Sequence, residues 1–312
     1  MKTFTLSQTD LTVPAVVAGM MRIAELDDAA IRTLVNTALD AGINFFDHAD
    51  IYGGQLHRCE ERFAAALHLT SSQRQEMIIQ SKCGIARDGQ FGYFDFSYDH
   101  IVSSVNASLT ALQTDYLDIL LLHRPDALVE PDEVARAFDD LAAAGKVRYF
   151  GVSNHTPGQI ELLQSKLGRP LVANQVQLSI THSPMIAQGI AMNMAGEDQS
   201  ISRDSGLIDY CRLRGITLQA WSPFQAGFFD GVFLDNPAYA ALNASLDRIA
   251  QRYDVTPMSI ATAWITRHPA DIQVILGTTN PDRVRQAAAG ADIVLTRPEW
   301  YELFRTAGHI IP

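Results

Sequence analysis

Cysteine is scarce in this chain of 312 residues, which contains three: Cys59, Cys83 and Cys211. They are far apart and form no Cys-x-x-Cys pair, so they indicate no disulfide framework, and a sparse, odd count is typical of a reducing compartment. The polar N-terminus MKTFTLSQTD lacks the apolar core of a signal peptide. No uncharged apolar run approaches the roughly 20 residues that cross a bilayer. We therefore expect a cytoplasmic protein without a membrane partner.

Positive charge is also in short supply. Lysine and arginine number 24 against 35 aspartate and glutamate residues, which gives a formal net charge of −11. The arginines stand singly or in pairs, whereas binding to a nucleic-acid backbone needs clustered basic residues. We therefore expect no nucleic-acid partner. With 47% hydrophobic and 19% charged residues, the composition is that of a compact globular protein with a large core.

The chain alternates between short apolar runs and longer segments of helical periodicity. Eight runs predict strands: AVVAG from Ala15, INFFD from Ile43, MIIQSK from Met77, LDILLLH from Leu117, VRYFGV from Val147, LVANQV from Leu171, ITLQAW from Ile216 and IQVILG from Ile272. Strands that are apolar throughout are typical of sheets buried on both faces. Between them, DDAAIRTLVNTALDAG ends at Gly42, and PDEVARAFDDLAAAGK places Pro131 in a first helical turn.

A glycine-rich phosphate loop is missing after the first predicted strand. An open doubly wound sheet should carry one there, but the segment GMMRIAEL contains a single glycine. The pattern favours an α/β protein with a (β/α)8 TIM barrel, formed as one domain by residues 1–312. Residues 3–6 and 11–13 alternate in polarity and predict a short N-terminal β-hairpin in front of the barrel.

Two connections are longer than a barrel needs, residues 179–204 and residues 224–239. Both follow the carboxyl ends of predicted strands, where barrel enzymes build lids and specificity loops. Their large apolar side chains suit either an adaptable pocket or the packing of the loops on the barrel. These side chains are Met185, Met192, Met194, Phe228, Phe229 and Phe233.

Polar residues follow the first predicted strands: Asp47 with Tyr52, then Lys82, then His123. Taken singly, Lys82 is explained by an ion pair, His123 by a structural hydrogen bond and Asp47 by a loop cap. In a barrel, however, these strand ends converge on one face. Burying a carboxylate, an ammonium and an imidazole there is costly unless they pair.

Such a set supports proton transfer. The phenol of a tyrosine titrates near pH 10, and a nearby lysine ammonium lowers that pKa. A carboxylate keeps the lysine charged, and a histidine hydrogen-bonds the oxygen that receives the proton. The sequence thus predicts that Tyr52 acts as a general acid on a carbonyl oxygen, supported by Lys82, Asp47 and His123.

Reduction of a carbonyl also needs a hydride source, and the later strand ends suit a nicotinamide cofactor. Asn154 and Gln175 fit its carboxamide, and Trp221 fits its ring, although Trp221 taken singly is as easily a core residue. Hydroxyls, amides and a guanidinium at the start of the last predicted barrel helix suit a phosphate, at Thr278, Thr279 and Arg283.

With these residues in place, the sequence resembles the aldo-keto reductase family. The resemblance is carried, in the family's order, by GINFFDHADIYGG, IIQSKCG, YLDILLLHRPD, KVRYFGVSNH, ANQVQLS, LQAWSPF and ILGTTNPDRVRQ. It implies an NADP(H)-dependent enzyme without a metal, which reduces an aldehyde or ketone to an alcohol, reversibly, on a (β/α)8 barrel. The expected partner is a small carbonyl substrate, and no oligomeric state is indicated.

The resemblance also assigns roles. Tyr52 becomes the acid/base, Lys82 lowers its pKa, Asp47 pairs with Lys82 and His123 orients the carbonyl. The expected cofactor contacts are Met21, Ser153, Asn154, Gln175, Trp221, Ser222, Phe224, Gly277, Thr278, Thr279 and Arg283.

The chain departs from the family pattern at three places. Gly277 stands where several members carry a lysine, so a preference for NADPH over NADH depends on Arg283. His48 takes a place where a small hydroxyl residue is common, and we expect it behind the residues that contact the substrate. Residues 179–204 have no certain counterpart in the family, so the resemblance does not predict the substrate of this protein.

Two other functions compete with reduction of a carbonyl. One is an NADPH-binding redox-sensing or regulatory subunit with little turnover. The other is a metal-dependent barrel hydrolase, since DHADIYGGQLHRC offers donor atoms from Asp47, His48, Asp50, His57 and Cys59. That stretch lacks the ligand spacing of a helical zinc site, so no metal is expected.

Overall fold

Eight parallel strands form a closed barrel in the structure, a computed structural model that describes residues 1–88, 91–194, 196–227 and 230–311. The strands are β1 (Thr3–Thr5), β2 (Thr12–Pro14), β3 (Val16–Gly19), β4 (Phe45–Asp47), β5 (Ile78–Cys83), β6 (Ile85–Asp88), β7 (Phe91–Phe94), β8 (Leu117–Leu122), β9 (Val147–Ser153), β10 (Leu171–Gln177), β11 (Thr217–Trp221) and β12 (Gln273–Leu276). The barrel strands follow chain order, from β3, β4 and β5 through β8 to β12, and β12 pairs with β3 to close the ring. Each overlaps one of the eight apolar runs, so the (β/α)8 prediction is confirmed.

Helices connect the barrel strands and cover the barrel. They are α1 (Asp28–Asp40), α2 (Arg58–Leu67), α3 (Ser71–Glu76), α4 (Tyr98–Leu112), α5 (Pro131–Ala143), α6 (Pro157–Gln164), α7 (Pro184–Ile190), α8 (Leu207–Arg214), α9 (Ala240–Tyr253), α10 (Pro257–Thr266), α11 (Pro281–Gly290) and α12 (Arg297–Thr306). Short 3-10 turns occur at Asp198–Ser200 and Pro237–Tyr239. No helix in the described part of the chain is long and apolar enough to span a membrane.

Helix boundaries follow from local sequence. Asp27 caps α1 by accepting a hydrogen bond from the Ala30 amide (2.7 Å), and Thr156 forms a capping box with Gln159 at the start of α6. These side chains satisfy amides that have no partner within the helix. Gly42, with φ +79°, follows the end of α1. Glycine adopts this left-handed conformation with little strain, so the helix stops where the chain turns towards β4.

The N-terminal hairpin of β1 and β2 closes the amino-terminal end of the barrel. Leu6, Leu11 and Val13 are buried in one cluster with apolar side chains of the barrel strands, among them Phe45 and Leu121. Burial of each such side chain contributes about 1.5–3 kcal/mol. This end of the barrel is therefore filled by apolar packing.

Four buried glutamines form a chain of amide hydrogen bonds inside the barrel. Gln80 on β5 and Gln219 on β11 bond reciprocally, with Nε2–Oε1 distances of 3.0 and 3.1 Å. Gln219 is in register with Gln175 on β10 and Gln273 on β12, and it bonds both, at 3.2 and 3.0 Å. Since β5 and β11 lie opposite each other in the ring, this amide layer crosses the barrel interior.

The long connection at residues 179–204 packs on the barrel instead of lining its mouth. Within the described residues of this segment, Met185 on α7 is buried in the core, whereas Met192 is 77% exposed. Ser183 Oγ lies 3.0 Å from Nε2 of His309, near the C-terminus. Phe233 is also a core residue. The packing alternative therefore holds for Met185 and Phe233 but not for Met192, and residues 228 and 229 lie outside the described residues.

A second antiparallel hairpin, β6 with β7, stands between β5 and α4 and was not predicted. Arg87 on β6 donates to the carbonyl oxygen of Gly54 (3.4 Å), two residues beyond Tyr52. The hairpin thus lies beside the barrel mouth.

Candidate active site

A buried ion pair joins Asp47 at the end of β4 to Lys82 on β5. Lys82 Nζ lies 2.8 and 2.7 Å from the two carboxylate oxygens, and the side chains are 0% and 2% exposed. Asp47 Oδ1 also accepts from the amides of Gln80 (2.6 Å) and Gln175 (3.1 Å). Each charge is therefore compensated, as burial requires.

The same ammonium contacts Tyr52. Lys82 Nζ lies 3.0 Å from Tyr52 Oη and 2.8 Å from the backbone oxygen of His48. Burial by itself lowers the pKa of Lys82, but Asp47 and Tyr52 outweigh that effect and the pKa is raised. Lys82 is therefore a fixed positive charge beside the phenol.

The pKa of Tyr52 lies above its usual value. Burial raises it, the ammonium of Lys82 lowers it, and the charge of Asp47 raises it again. Lys82 lowers the pKa of Tyr52, as predicted. The expectation that the pKa falls below its usual value is wrong, because the cost of burying a phenolate is larger than the stabilisation by Lys82. Tyr52 consequently carries its proton at neutral pH.

His123 faces Tyr52 across the barrel mouth. The two rings are 5.8 Å apart between centroids and nearly perpendicular. Burial, with the positive charges of Lys82 and Arg124, lowers the pKa of His123 well below its usual value. The imidazole is therefore neutral at physiological pH, and its Nδ1 has no hydrogen-bond partner among the described residues.

A cavity of about 590 Å³ opens at the carboxyl ends of the barrel strands. The predicted residues in its lining are Met21, Asp47, Tyr52, His123, Ser153, Asn154, Gln175, Trp221, Ser222, Phe224, Gly277, Thr278 and Arg283. Lys82 is buried beneath the cavity, and Thr279 is outside the lining. A shallower depression of about 700 Å³ lies at the opposite end, between the N-terminal hairpin and α8, and contains none of the predicted residues.

Three polar residues expected at a nicotinamide lie together: Ser153 ends β9, Asn154 follows it, and Gln175 is on the neighbouring strand β10. Asn154 Nδ2 donates to Ser153 Oγ (2.8 Å), and Ser153 Oγ donates to the backbone oxygen of Gln175 (2.9 Å). Asn154 has φ +61°, a left-handed conformation that asparagine tolerates better than most residues. Trp221 at the end of β11 donates from Nε1 to Asn154 Oδ1 (3.1 Å).

The expected phosphate-binding residues lie at the other side of the cavity, where β12 leads into α11. Arg283 is exposed there, and Arg22 donates to the backbone oxygen of Gly277 (2.9 Å). The first amides of α11 are not free, however, because Asn280 Oδ1 accepts from Asp282 N–H (2.8 Å) and Arg283 N–H (3.3 Å). Side chains, more than these amides, supply the positive potential of this region.

The family model described as Aldo/keto reductase family matches residues 15–305. The chain belongs to the aldo/keto reductase family. The protein is therefore an oxidoreductase enzyme, as the resemblance implied, and members of this family generally use NADP(H).

Relatives of this aldo/keto reductase align over almost their whole length. It is 35% identical to the oxidoreductase YdhF of Escherichia coli, over 95% of this chain and 94% of the relative. It is 34% identical to a 6-dehydroglucose reductase of Agrobacterium fabrum, over 95% of each chain. Its fold matches the solved structure of a thermostable aldo-keto reductase, Tm1743, in complex with the inhibitor epalrestat, with a TM-score of 0.77, 25% identity and coverage of 98% of this chain and 100% of that chain.

The donor atoms considered for a metal do not converge in this aldo/keto reductase. Within residues 1–88, 91–194, 196–227 and 230–311, no three His, Cys, Asp or Glu side chains are arranged to hold a metal ion. Asp47 is engaged by Lys82, and His57 Nδ1 pairs with Glu60 (2.6 Å). The ring of His48 is buried edge-on against Phe63 and is not part of the cavity lining. Only the backbone oxygen of His48 contacts Lys82.

Some cavity residues were missed from the sequence. They include Arg22, Arg124, Gln225, Met258 and Gln286. Arg124 directly follows His123 and Gln225 directly follows Phe224, so adjacency to predicted residues was an available signal. Arg22, Met258 and Gln286 stand on loops or helices, where the strand-end pattern gives no indication.

Proposed function

We propose that this aldo/keto reductase is an NADP(H)-dependent carbonyl reductase with Tyr52 as its general acid. The observation that carries the proposal is the contact of Lys82 Nζ with Tyr52 Oη (3.0 Å), above a fully compensated Asp47 at the floor of the cavity. A charged lysine that touches a protonated phenol at the base of a cleft is suited to proton donation.

The reaction that fits is the conversion of an aldehyde or ketone, NADPH and one proton into an alcohol and NADP⁺. NADPH, when bound, supplies the hydride that adds to the carbonyl carbon. Tyr52 gives its proton to the carbonyl oxygen, and its raised pKa keeps that proton available at neutral pH. Lys82 then stabilises the phenolate that remains, and Asp47 holds Lys82 charged and in place.

His123 orients the carbonyl. Since its imidazole is neutral, one ring nitrogen carries a proton and is able to donate a hydrogen bond to the carbonyl oxygen. Tyr52 and His123 both line the cavity, so a carbonyl oxygen at its floor would meet both side chains. Two donors aimed at one oxygen favour the developing alkoxide over the ground-state carbonyl.

The cavity lining fits a nicotinamide dinucleotide. Gln225 Oε1 is buried in the lining with no partner among the described residues, as an acceptor awaiting a ligand donor would be. Ser153, Asn154 and Gln175 would hold the carboxamide, and Trp221 the ring. Ser222 would contact the pyrophosphate. The 2′-phosphate would be met by Thr278 and Arg283, with Met21, Phe224 and Gly277 beside the cofactor.

The test is Tyr52→Phe. This variant keeps the ring but removes the transferable proton, so kcat for NADPH oxidation with an aldehyde should fall about 100- to 10,000-fold. NADPH binding, followed by titration of tryptophan fluorescence, should change little. Tyr93→Phe, at an exposed tyrosine on β7, is the matched control and should retain full activity.

Two outcomes would count against the proposal. Near-normal kcat in Tyr52→Phe removes the general-acid role. Tight NADPH binding by the wild-type protein without oxidation in a broad aldehyde and ketone screen favours the regulatory, low-turnover alternative instead.

A further inference from the structure

Arg124 is a cation in the cavity wall that the proposed reaction does not use. It follows His123 at the end of β8 and lies in the lining with Tyr52 and His123. Its side chain is partly buried, and burial lowers the pKa of its guanidinium. A guanidinium keeps its charge at any physiological pH, so this wall of the cavity is permanently positive.

No carboxylate among the described residues compensates Arg124. The acid closest in sequence, Asp126, is turned to backbone amides: it accepts from Phe96 N–H (2.9 Å) and Leu128 N–H (2.8 Å). The carboxylate of Asp47 is already paired with Lys82. Because Asp126 and Asp47 are engaged elsewhere, the N–H donors of Arg124 remain available, although acidic residues outnumber basic ones in this protein, with a formal net charge of −11.

The neighbour that Arg124 does have is an aromatic ring. Its guanidinium carbon lies 5.8 Å from the ring centroid of Trp221. A cation–π contact of this kind is weak at a partly exposed site. It leaves the N–H donors of the guanidinium without acceptors, so the contact does not by itself account for a cation at this position.

The position of Arg124 separates it from the expected phosphate region. In the ring of eight strands, β8 stands diametrically opposite β12. Arg283 and Arg22 lie on the β12 and β3 side, whereas Arg124 lies next to the residue that would orient the carbonyl. The cavity thus has two positive ends, and the end at β8 lies beside His123.

We propose that Arg124 recognises an anionic group, such as a carboxylate, on the carbonyl substrate. The inference rests on the proposed reductase function and narrows its substrate to carbonyl compounds that carry a negative charge. With the carbonyl oxygen between Tyr52 and His123, the guanidinium offers a planar, two-pronged donor to a carboxylate on the same molecule.

The experiment compares two aldehydes of almost equal shape, 4-formylbenzoate and its neutral analogue 4-formylbenzamide. A hydrogen bond to a charged group contributes about 1.5–3 kcal/mol, so kcat/KM should favour the anion by about 10- to 100-fold. Arg124→Gln should abolish this preference, because kcat/KM should fall much more for the benzoate than for the amide. Arg124→Lys, which keeps the charge but loses the fork, should restore part of the preference.

Arg136 provides the matched control, because it also lies over an aromatic ring, that of Tyr98 (4.2 Å), outside the cavity. Arg136→Gln should retain the full preference. Equal kcat/KM for the two aldehydes in the wild type overturns the inference, and so does a preference that survives in Arg124→Gln. An equal loss with both aldehydes in Arg124→Gln, with weaker NADPH binding, assigns Arg124 to the support of Trp221 and also overturns it.

A binding measurement separates this inference from the proposed reaction. Calorimetric titration of the NADP⁺-loaded protein with 4-nitrobenzoate and 4-nitrobenzamide reports anion recognition without turnover. Binding of the benzoate that depends on Arg124, with no turnover of any aldehyde, rejects the reductase and keeps the anion site. Turnover of both aldehydes without anion preference rejects the anion site and keeps the reductase.

Discussion

Lys82 connects the charges of the site at the scale of single residues. Its ammonium, 0% exposed, contacts the carboxylate of Asp47, the phenol of Tyr52 and the backbone oxygen of His48. Removal of one partner from a buried ion pair leaves the other charge uncompensated, at a cost of about 3–5 kcal/mol. Lys82 therefore contributes both to stability and to the proposed proton transfer.

Lys82→Met tests both contributions. We expect kcat to fall about 100- to 10,000-fold, because the phenolate of Tyr52 loses its stabilising charge. The midpoint of urea unfolding should also drop, because Asp47 stays buried without its cation. Circular dichroism before each assay confirms that the variant is folded under assay conditions.

Lys166→Met is the control, since Lys166 forms a half-exposed pair with Asp132 (3.1 Å). Surface pairs contribute about 0–1 kcal/mol, so this variant should match the wild type in rate and nearly in stability. A folded Lys82→Met protein with normal kcat would show that Tyr52 does not need the charge.

The residues of this site were predictable, but their environment was not. Asp47, Tyr52, Lys82 and His123 each follow or end an apolar run, and barrel geometry brings such positions together. The net pKa of Tyr52 depends on how fully the phenol is buried, which residue types do not reveal. Arg124 was overlooked because a cation at a strand end becomes informative only when its missing counterion is seen.

At the scale of structural elements, the glutamine layer connects the strands β5, β10, β11 and β12. Each of these strands carries one glutamine within its apolar run. From the sequence, Gln175 was assigned to the cofactor carboxamide. Its place in the glutamine layer was not predicted, because the register that aligns it with Gln219 and Gln273 is a property of the folded sheet. In the structure Gln175 also donates to Asp47 Oδ1 (3.1 Å), so the layer supports the carboxylate from inside the barrel.

Gln219→Leu tests this support. Gln219 bonds three other glutamines, and its removal takes away the donor to the buried Oε1 atoms of Gln80 and Gln273, at about 1–3 kcal/mol for each unsatisfied group. We expect a clear loss of stability in urea unfolding. We also expect a lower kcat with little change in KM, because Gln80 and Gln175 lose their bonds to Gln219 and hold Asp47 less firmly in one orientation.

Gln251→Leu, at an exposed position on α9, controls for the substitution itself and should leave both measurements unchanged. If Gln219→Leu is destabilised but keeps its kcat, the layer is structural and Asp47 is positioned by Lys82 alone.

At the scale of the whole molecule, buried ionisable groups make the free energy of unfolding depend on pH. The pKa is lowered in six of the nine histidines: His48, His123, His155, His182, His268 and His309. Burial is the largest cause in each, and it brings the pKa of His48 to about 3 and those of His155 and His268 to about 4. The folded protein therefore resists protonation that its unfolded chain accepts near pH 6.5.

Asp50 acts in the opposite direction. Burial and the charge of Glu60 raise the pKa of Asp50 from 3.8 to about 7, so the folded state takes up a proton there before the unfolded chain does. Between about pH 4 and pH 6.5 this group favours the folded state as the pH falls, while the histidines favour the unfolded state. The pKa values of His57 and Asp204 are raised as well, but the six histidines outnumber these three groups, so the unfolded chain binds more protons in this window.

We therefore expect the free energy of unfolding to decrease as the pH falls from about 6.5 towards 4, which urea titrations at about pH 7, pH 6 and pH 5 would measure. His268→Gln, at a site remote from the cavity lining, should make the decrease shallower by about 1.4 kcal/mol per pH unit, the value for one proton. His68→Asn is the control, because His68 is exposed with φ +46°, a conformation that asparagine adopts readily. A stability that stays constant or rises on acidification would mean that Asp50 and the other carboxyls, not the buried histidines, dominate proton uptake by the folded protein.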